Sequence, residues 1–201
     1  MKAVTQDTGR ELRRIVRTNE EIKSVVATAF KINLMAMNAI FLAKRAGQTA
    51  LGFGVLSNEL RRFAMDLQKQ MAELREMTYG SVSTLTALVK QARVNRILER
   101  ACQESTGIGR MLIDEFMHTR QGLSTARHNE QVAALNRRLN QMIADTTQLV
   151  ELGSVLARSA KIEAAYGGRF SVALMQVSSD FERTIGEIQS SLANLTKQQD
   201  L

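Results

Sequence analysis

Apolar residues recur along most of the chain with the alternating three- and four-residue spacing of a coiled-coil seam. In the first segment, from about 7 to 46, the seam consists of Ile15, Ile22, Val26, Ala29, Asn33, Ala36, Ile40 and Ala43. In the second segment it consists of Leu56, Leu60, Phe63, Leu67, Gln70, Leu74 and Met77. Two later segments repeat the spacing, through Leu139, Thr146 and Gly153 and then through Leu174, Phe181 and Ile188. The pattern predicts four long helices.

Glycines mark the places where the chain is expected to reverse. Gly47 and Gly52 follow the first segment, and Gly167 and Gly168 follow the third. Because glycine readily adopts the left-handed backbone conformation that ends a helix, we predict hairpin turns near 47–52 and 167–168. The cluster ESTGIGR, residues 104–110, predicts a linker, and Gly80 predicts a bend or a short break in the second helix.

These elements predict an all-α fold, a long antiparallel four-helix bundle of coiled-coil type made of two helical hairpins. The first hairpin comprises residues 1–105 and the second 110–201, and we expect them to form one elongated bundle. Residues 162–177 resemble a degraded copy of the first turn region, with Glu163 at the step of Leu42 and Tyr166 at the step of Arg45. This copy is about four residues shorter at the turn. We therefore expect a pseudo-dimer within one chain.

The composition agrees with a helical protein. The chain has 201 residues, of which 44% are hydrophobic and 23% charged, and it contains no proline. Absence of proline favours uninterrupted helices, because proline removes a backbone donor and clashes with the preceding turn. Cys102 is the only cysteine, so no intramolecular disulfide forms. Since no apolar run approaches the roughly 20 residues of a membrane span and no secretory signal is evident, we expect a cytoplasmic protein without a membrane span.

No catalytic or metal-binding pattern is present. His118 and His128 are ten residues apart, which on a helix turns them about 80° away from each other. Cys102 has no evident general base, and the glycine-containing stretch 51–56 lacks the lysine–serine pair of a phosphate-binding loop. We expect a non-enzymatic protein with no cofactor, no metal site and no small-molecule substrate.

The residues around the first turn resemble the signalling tip of bacterial methyl-accepting chemotaxis receptors. The tip pattern is matched without a gap by Asn33, Leu34, Ala36, Asn38, Ala39, Ala43, Arg45, Ala46, Gly47, Gly52, Phe53, Val55, Glu59, Arg61 and Ala64. Three places depart from it: Leu42 replaces the usual glutamate, Gln48 the usual acid, and Lys31-Ile32 the usual Gln-Thr pair. The nearest match to a receptor methylation site, at Glu130-Gln131, has Leu135 where a small hydroxyl residue is usual. The resemblance implies a signalling hairpin, whereas the imperfect match to a methylation site argues against an ordinary adapting receptor.

The resemblance also implies partners. It suggests the coupling protein and histidine kinase of a chemosensory array, or the receptors themselves, and in the family the positions of Phe30, Leu34, Met37 and Phe41 help dimers cluster and contact the coupling machinery. The predicted partner-binding residues are Phe30, Leu34, Met37, Asn38, Phe41, Arg45, Val55 and Glu59. The apolar ones would supply buried contact area, and Arg45 would fix orientation through a charge-assisted hydrogen bond. From the pattern alone, the apolar stripe beside the seam fits a contact surface and a broad bundle core equally.

Two alternatives remain at this stage. A formal charge of +7 suits an acidic partner, so a basic helical bundle that binds nucleic acid or an anionic surface is the second hypothesis. Nucleic acid is disfavoured because the basic residues are spread along the chain in pairs such as Arg61-Arg62 and because aromatic residues are few. The third hypothesis is a structural remnant without array contacts, in which the stripe is core. We expect a monomer or a weak oligomer.

Overall fold

The computed structural model describes the backbone of residues 2–199 and the side chains of 13–197, apart from positions 85, 88, 92, 120–129, 131 and 132. Within that range the chain forms four α-helices and no strand. They are α1 (Lys2–Ala46), α2 (Leu51–Glu104), α3 (Ile108–Ala165) and α4 (Ser171–Gln199). Short 3-10 helical turns at Gly47–Ala50 and Gly168–Phe170 reverse the chain within each hairpin. The predicted all-α fold of two helical hairpins is confirmed.

Three glycine positions test the predicted interruptions. The linker is confirmed, since α2 ends at Glu104, α3 begins at Ile108, and Gly107 between them has a φ of +61°. The predicted break at Gly80 is wrong, because α2 continues through that residue. Glycine in a helix costs only on the order of 1 kcal/mol against alanine, which the neighbouring turns of a 54-residue helix offset. Gly52 also lies inside the first turn of α2 and not in the reversal itself.

The chain divides into two compact units. Unit 1 consists of Met1–Ile15 and Met77–Leu139, and unit 2 consists of Val16–Glu76 and Asn140–Leu201. The long helices α1, α2 and α3 each contribute to both units, whereas α4 belongs to unit 2. The assignment of one domain to each hairpin stays a prediction.

Unit 2 is a four-helix bundle in which each helix contacts two neighbours. A methyl group on Gly54 of α2 would lie 3.3 Å from the Cβ of Ala43 on α1, and one on Gly153 of α3 would lie 2.6 Å from the Phe63 ring of α2. Lys161 of α3 forms a salt bridge with Glu182 of α4. Helix α4 in turn contacts α1, since the Thr184 hydroxyl of α4 donates a hydrogen bond to the Met35 sulfur of α1, at 3.9 Å.

The buried seam of unit 2 follows heptad spacing on every helix. On α1 it consists of Thr18, Ile22, Val25, Ala29, Ile32, Ala36, Ala39 and Ala43. On α2 it consists of Phe53, Ser57, Leu60, Ala64, Leu67, Met71 and Leu74. On α1, from Ile22 onward, the predicted seam was therefore right at every second step and displaced by one residue at the others. On α2, Phe63 was predicted at an alternate step and is also buried. Val26, Asn33 and Ile40 are only partly buried, and their preceding neighbours occupy the core.

The second hairpin repeats the first at a constant spacing of 121 residues. The buried positions on α3 are Leu139, Ile143, Thr146, Val150, Gly153, Ala157, Ala160 and Ala164, each 121 residues after a buried position of α1. Gly47 and Gly168 have the same spacing and φ values of +71° and +56°. The spacing also relates Ser57 to Ser178, whose buried hydroxyls each donate to the carbonyl four residues earlier. The second turn is therefore not four residues shorter than the first, which corrects the prediction.

Unit 1 contains parts of three helices, and few of its described side chains are buried. Arg14 of α1 donates a hydrogen bond to the Asn136 side chain of α3 at 3.5 Å. Cys102, near the end of α2, lies with its sulfur 4.0 Å from the Arg110 carbonyl oxygen. Among the described side chains of unit 1, only Thr78 and Leu139 are buried. The described side chains of α2 beyond residue 78 are consequently exposed or only partly buried.

One apolar stretch is longer than the sequence pattern predicts. Among the described residues, one helical segment within Arg13–Glu104 is long and apolar enough to cross a membrane by length and composition, and 28% of its apolar stretch is buried. Core helices of soluble proteins and signal sequences share this length and composition. Here α1 carries an apolar stripe beside its buried seam, which raises the apolar content of the helix.

Candidate docking surface at the first hairpin turn

The apolar stripe of α1 is exposed. Phe30, Leu34, Met37 and Phe41 are 54%, 45%, 36% and 60% accessible to solvent. The core of unit 2 is built from other residues of the same helix, so the interpretation of this stripe as bundle core is wrong. Four large apolar side chains along about three helical turns form a continuous surface that the unit itself does not cover.

Two polar residues extend this surface toward the turn. At 100° per residue, Asn38 and Arg45 lie in the same sector of about 100° on α1 as the apolar stripe. Both side chains are exposed. Arg45 is in the last turn of α1, where a cation interacts favourably with the helix dipole, and it forms no ion pair with the described part of the chain. Its guanidinium therefore keeps its donors available for a partner.

A groove of about 470 Å³ lies between α1 and α2 beside the turn. Gly54 forms part of its lining, at the point where α2 packs closely against Ala43 of α1. The groove is lined by Ile40, Ala43, Lys44, Gly47, Gln48, Ala50, Leu51, Gly54, Val55 and Asn58. Of the predicted partner-binding residues only Val55 lines it. Leu51 and Lys44 also line the groove and were not predicted to bind a partner. The sequence features that could have indicated them are the apolar Leu51 at the start of α2 and the nearby Gly54.

Val55 and Glu59 lie one turn apart on α2. Val55 is exposed, and Glu59 is partly exposed. Glu59 forms a salt bridge of 3.4 Å with Arg62, which lies three residues further along the helix. Asp180 and Arg183, 121 residues later, form the equivalent pair. The Glu59 carboxylate thus pairs within its own helix, and the second hairpin repeats the pair.

The second hairpin turn has an equivalent but less apolar surface. Its groove, of about 400 Å³, is lined by Ala165, Ser171, Val172, Met175, Gln176 and Ser179, each 121 residues after a residue of the first groove. Met175 stands where the first groove has Gly54. Along the stripe, Leu34 and Phe41 correspond to Val155 and Ile162, but Phe30 and Met37 correspond to Glu151 and Arg158. The continuous apolar stripe is therefore a property of the first hairpin.

Glu163 connects the two hairpins next to both turns. Its carboxylate lies directly against Gly52, where a methyl group would collide with it. This contact places both turns at the same end of unit 2. The acid that the first hairpin lacks at Leu42 is therefore present in the second, and it lies over the first residues of α2.

The described residues contain no cluster that fits a metal ion. No group of three His, Cys, Asp or Glu side chains is close enough together within that part of the chain. His118 is exposed, and the side chain of His128 lies outside the described residues. Cys102 is a free, partly buried thiol.

Comparisons with known proteins find relatives among chemotaxis proteins. No family model and no solved structure matches the chain. McpP, a methyl-accepting chemotaxis protein of Pseudomonas putida, is 26% identical over 183 residues, which are 89% of this chain and 33% of McpP. PctB of Pseudomonas aeruginosa is 28% identical over 149 residues, 70% of this chain and 23% of PctB. PcaY of Pseudomonas putida is 36% identical over 89 residues, 43% of this chain and 16% of PcaY.

These relatives share the name of methyl-accepting chemotaxis proteins, and each is much longer than the region that matches. The chain spans a third of McpP and less of the others. The matches to McpP and PctB extend over most of this chain, beyond the turn region that carries the sequence pattern. The chain is thus similar to methyl-accepting chemotaxis proteins along most of its length and resembles a divergent chemoreceptor signalling domain.

Proposed function

We propose that this protein is a non-enzymatic, cytoplasmic docking element of a chemosensory system, which contacts its partner through the first hairpin turn. The partner is the coupling protein, the histidine kinase or the signalling domain of a receptor. The docking surface consists of Phe30, Leu34, Met37, Asn38, Phe41, Arg45, Val55 and Glu59. The similarity to chemotaxis proteins supports the class of partner, and the exposed surface supports the place of contact.

The observation that carries the proposal is the exposed stripe of Phe30, Leu34, Met37 and Phe41. Full burial of one such side chain contributes roughly 1.5 to 3 kcal/mol. Since 36% to 60% of each side chain is still exposed, a partner that covers the stripe gains roughly half of that for each residue. Phe and Met are also enriched at protein–protein interfaces relative to the rest of a protein surface. Arg45 at the end of the stripe would orient the partner through a charge-assisted hydrogen bond.

Leu42 removes a negative charge from the surface that such a partner would contact. It stands where the resembled tip has a glutamate, and it is partly buried. A partner that pairs a cation with that glutamate finds no charge here, because the corresponding acid, Glu163, is on the second hairpin against Gly52. We therefore expect weaker polar pairing than at an ordinary receptor tip and a larger contribution from the apolar stripe.

The experiment is a calorimetric titration of the full chain with the coupling protein of the same organism. The test variant is Leu34→Ser/Phe41→Ser. The matched control is Val155→Ser/Ile162→Ser, because these residues are the equivalents in the second hairpin and are 56% and 63% exposed. We expect micromolar binding that weakens by at least about tenfold, or about 1.4 kcal/mol, in the test variant only.

Circular dichroism of both variants checks that their helical content is unchanged. Where the coupling protein does not bind, the same titration is carried out with the kinase and with a receptor signalling domain. Equal loss of binding in the two variants would show that the first turn is not the docking surface. Absence of binding to all three partners would refute the chemosensory role.

A further inference from the structure

The positive charge of the protein is concentrated in unit 1. The residues of unit 1 include 13 lysines and arginines and seven acids, a formal charge of +6, whereas unit 2 has 14 and 13, a formal charge of +1. The net positive charge, which looks evenly spread along the sequence, is thus distributed unevenly between the two units. An anionic partner is attracted to unit 1 much more strongly than to unit 2.

Within unit 1, one face of α2 combines cations with aliphatic side chains. At 100° per residue, Val89, Lys90, Arg93, Arg96, Ile97 and Arg100 lie in a sector of about 120°. Glu99 lies outside that sector, whereas Glu104, one turn after Arg100 at the end of α2, lies inside it. We call these six residues the basic–aliphatic face.

The side chains of this face are available to a partner. Val89 and Ile97 are 41% and 60% exposed. Lys90, Arg93 and Arg100 are exposed and Arg96 is half-buried. None of the four cations forms an ion pair with any residue of the described chain. The face therefore presents unneutralised charge with apolar side chains between the cations.

We propose that the basic–aliphatic face binds an anionic lipid surface. Charge complementarity attracts it to acidic headgroups, and the aliphatic side chains enter the boundary between headgroups and acyl chains. The face fits nucleic acid less well, because it carries no aromatic ring on which a base could stack. It fits a second copy of the chain less well, because two faces with four cations each repel. This inference is independent of the proposed docking function, which concerns unit 2.

The test is co-sedimentation of the full chain with vesicles. One set contains equal amounts of phosphatidylcholine and phosphatidylglycerol, and the other contains phosphatidylcholine alone. We expect binding to the anionic vesicles only, weakened by added salt. The variant Arg93→Gln/Arg96→Gln/Arg100→Gln should bind about a hundredfold more weakly, at about fivefold for each cation removed.

The matched control removes the same charge from exposed cations of unit 2, in the variant Arg61→Gln/Lys69→Gln/Lys197→Gln. It should keep nearly all vesicle binding. Equal loss in the two triple variants would overturn the proposal, since it would show a general charge effect. Failure of the wild-type chain to bind anionic vesicles would also overturn it.

A further variant, Ile97→Ser, separates lipid from the other occupants. We expect about tenfold weaker vesicle binding, because one exposed aliphatic side chain no longer enters the lipid. Binding of duplex DNA more tightly than vesicles, unaffected by Ile97→Ser, would identify a nucleic-acid site and overturn the lipid proposal. Self-association that Ile97→Ser abolishes, without vesicle binding by the wild-type chain, would overturn it in favour of a second copy.

Discussion

Gly153 shows how a single residue sets the distance between two helices of unit 2. The Phe63 ring of α2 occupies the space that a side chain at this position of α3 would take. Phe63 is itself buried, with 3% of its surface exposed. The equivalent position in the first hairpin is Ile32, which has a large side chain. Gly153 has no side chain, and the Phe63 ring of the facing helix α2 fills the space instead. The volume is conserved between the two helices, although neither sequence segment alone indicates it.

Gly153→Ala should therefore destabilise the protein despite the higher helix propensity of alanine. The new methyl group would lie 2.6 Å from the Phe63 ring, and a buried ring cannot move without disturbing its neighbours. We expect a loss of about 1 to 2 kcal/mol in the free energy of unfolding, measured in urea.

Gly186 provides the control, because a methyl group there meets no atom within 4 Å. Gly186→Ala should raise the free energy of unfolding by about 0.5 to 1 kcal/mol, through helix propensity alone. Adding Phe63→Leu to Gly153→Ala should recover part of the loss. A stabilising Gly153→Ala would mean that α2 and α3 are not in contact at this point.

At the scale of the helices, the sequence predicted the periodicity and missed part of the phase. Positions 22, 29, 36 and 43 of α1 were predicted as core and are buried. Two of the alternate steps failed because α1 has apolar or small residues at two adjacent positions, in Val25-Val26 and Ala39-Ile40. At the third, Ile32-Asn33, the apolar residue of the pair is the buried one. A heptad pattern cannot decide between such neighbours, since the choice depends on the width of the gap to the opposite helix.

The candidate surface was predictable for a related reason. Phe30, Leu34, Met37 and Phe41 form a second stripe with the same spacing as the core, so the sequence showed that α1 has more apolar surface than one seam needs. Whether the surplus is buried depends on the positions of the other helices. The groove beside the turn was missed because it arises from Gly54 and Leu51 together with α1, which is a property of the packed hairpin.

The two turns should respond alike to the loss of their glycines. Gly47 and Gly168 have positive φ values, and a methyl group at either position would meet no atom within 4 Å. Strain of the left-handed backbone is therefore the main effect of alanine, and we expect Gly47→Ala and Gly168→Ala each to cost about 1 to 2 kcal/mol of unfolding free energy in urea.

Gly80→Ala is the matched control for this pair. Gly80 also has open space around it, but it lies inside α2 with helical backbone. Its replacement should stabilise the protein by up to about 1 kcal/mol. A loss confined to one of the two turn variants would contradict the equivalence of the hairpins.

At the scale of the whole molecule, the two units differ in how much they bury. Unit 2 has a heptad seam on four helices, whereas the described side chains of unit 1 include two buried residues. Unit 1 also carries most of the net charge, and self-repulsion of like charges opposes compaction. Stability should accordingly be unequal along the chain, with the larger share in unit 2.

Helix α2 provides an internal comparison, because it passes from unit 2 into unit 1 near residue 77. Its first half buries Phe53, Leu60, Leu67 and Leu74, whereas its second half has Thr78 as its buried described residue. Amide hydrogen exchange followed by mass spectrometry should therefore show strong protection for peptides within 53–76 and faster exchange for peptides within 80–104. Since both halves are helical, hydrogen bonding alone predicts equal protection. Uniform protection along α2 would show that unit 1 is stabilised by contacts other than its own buried side chains.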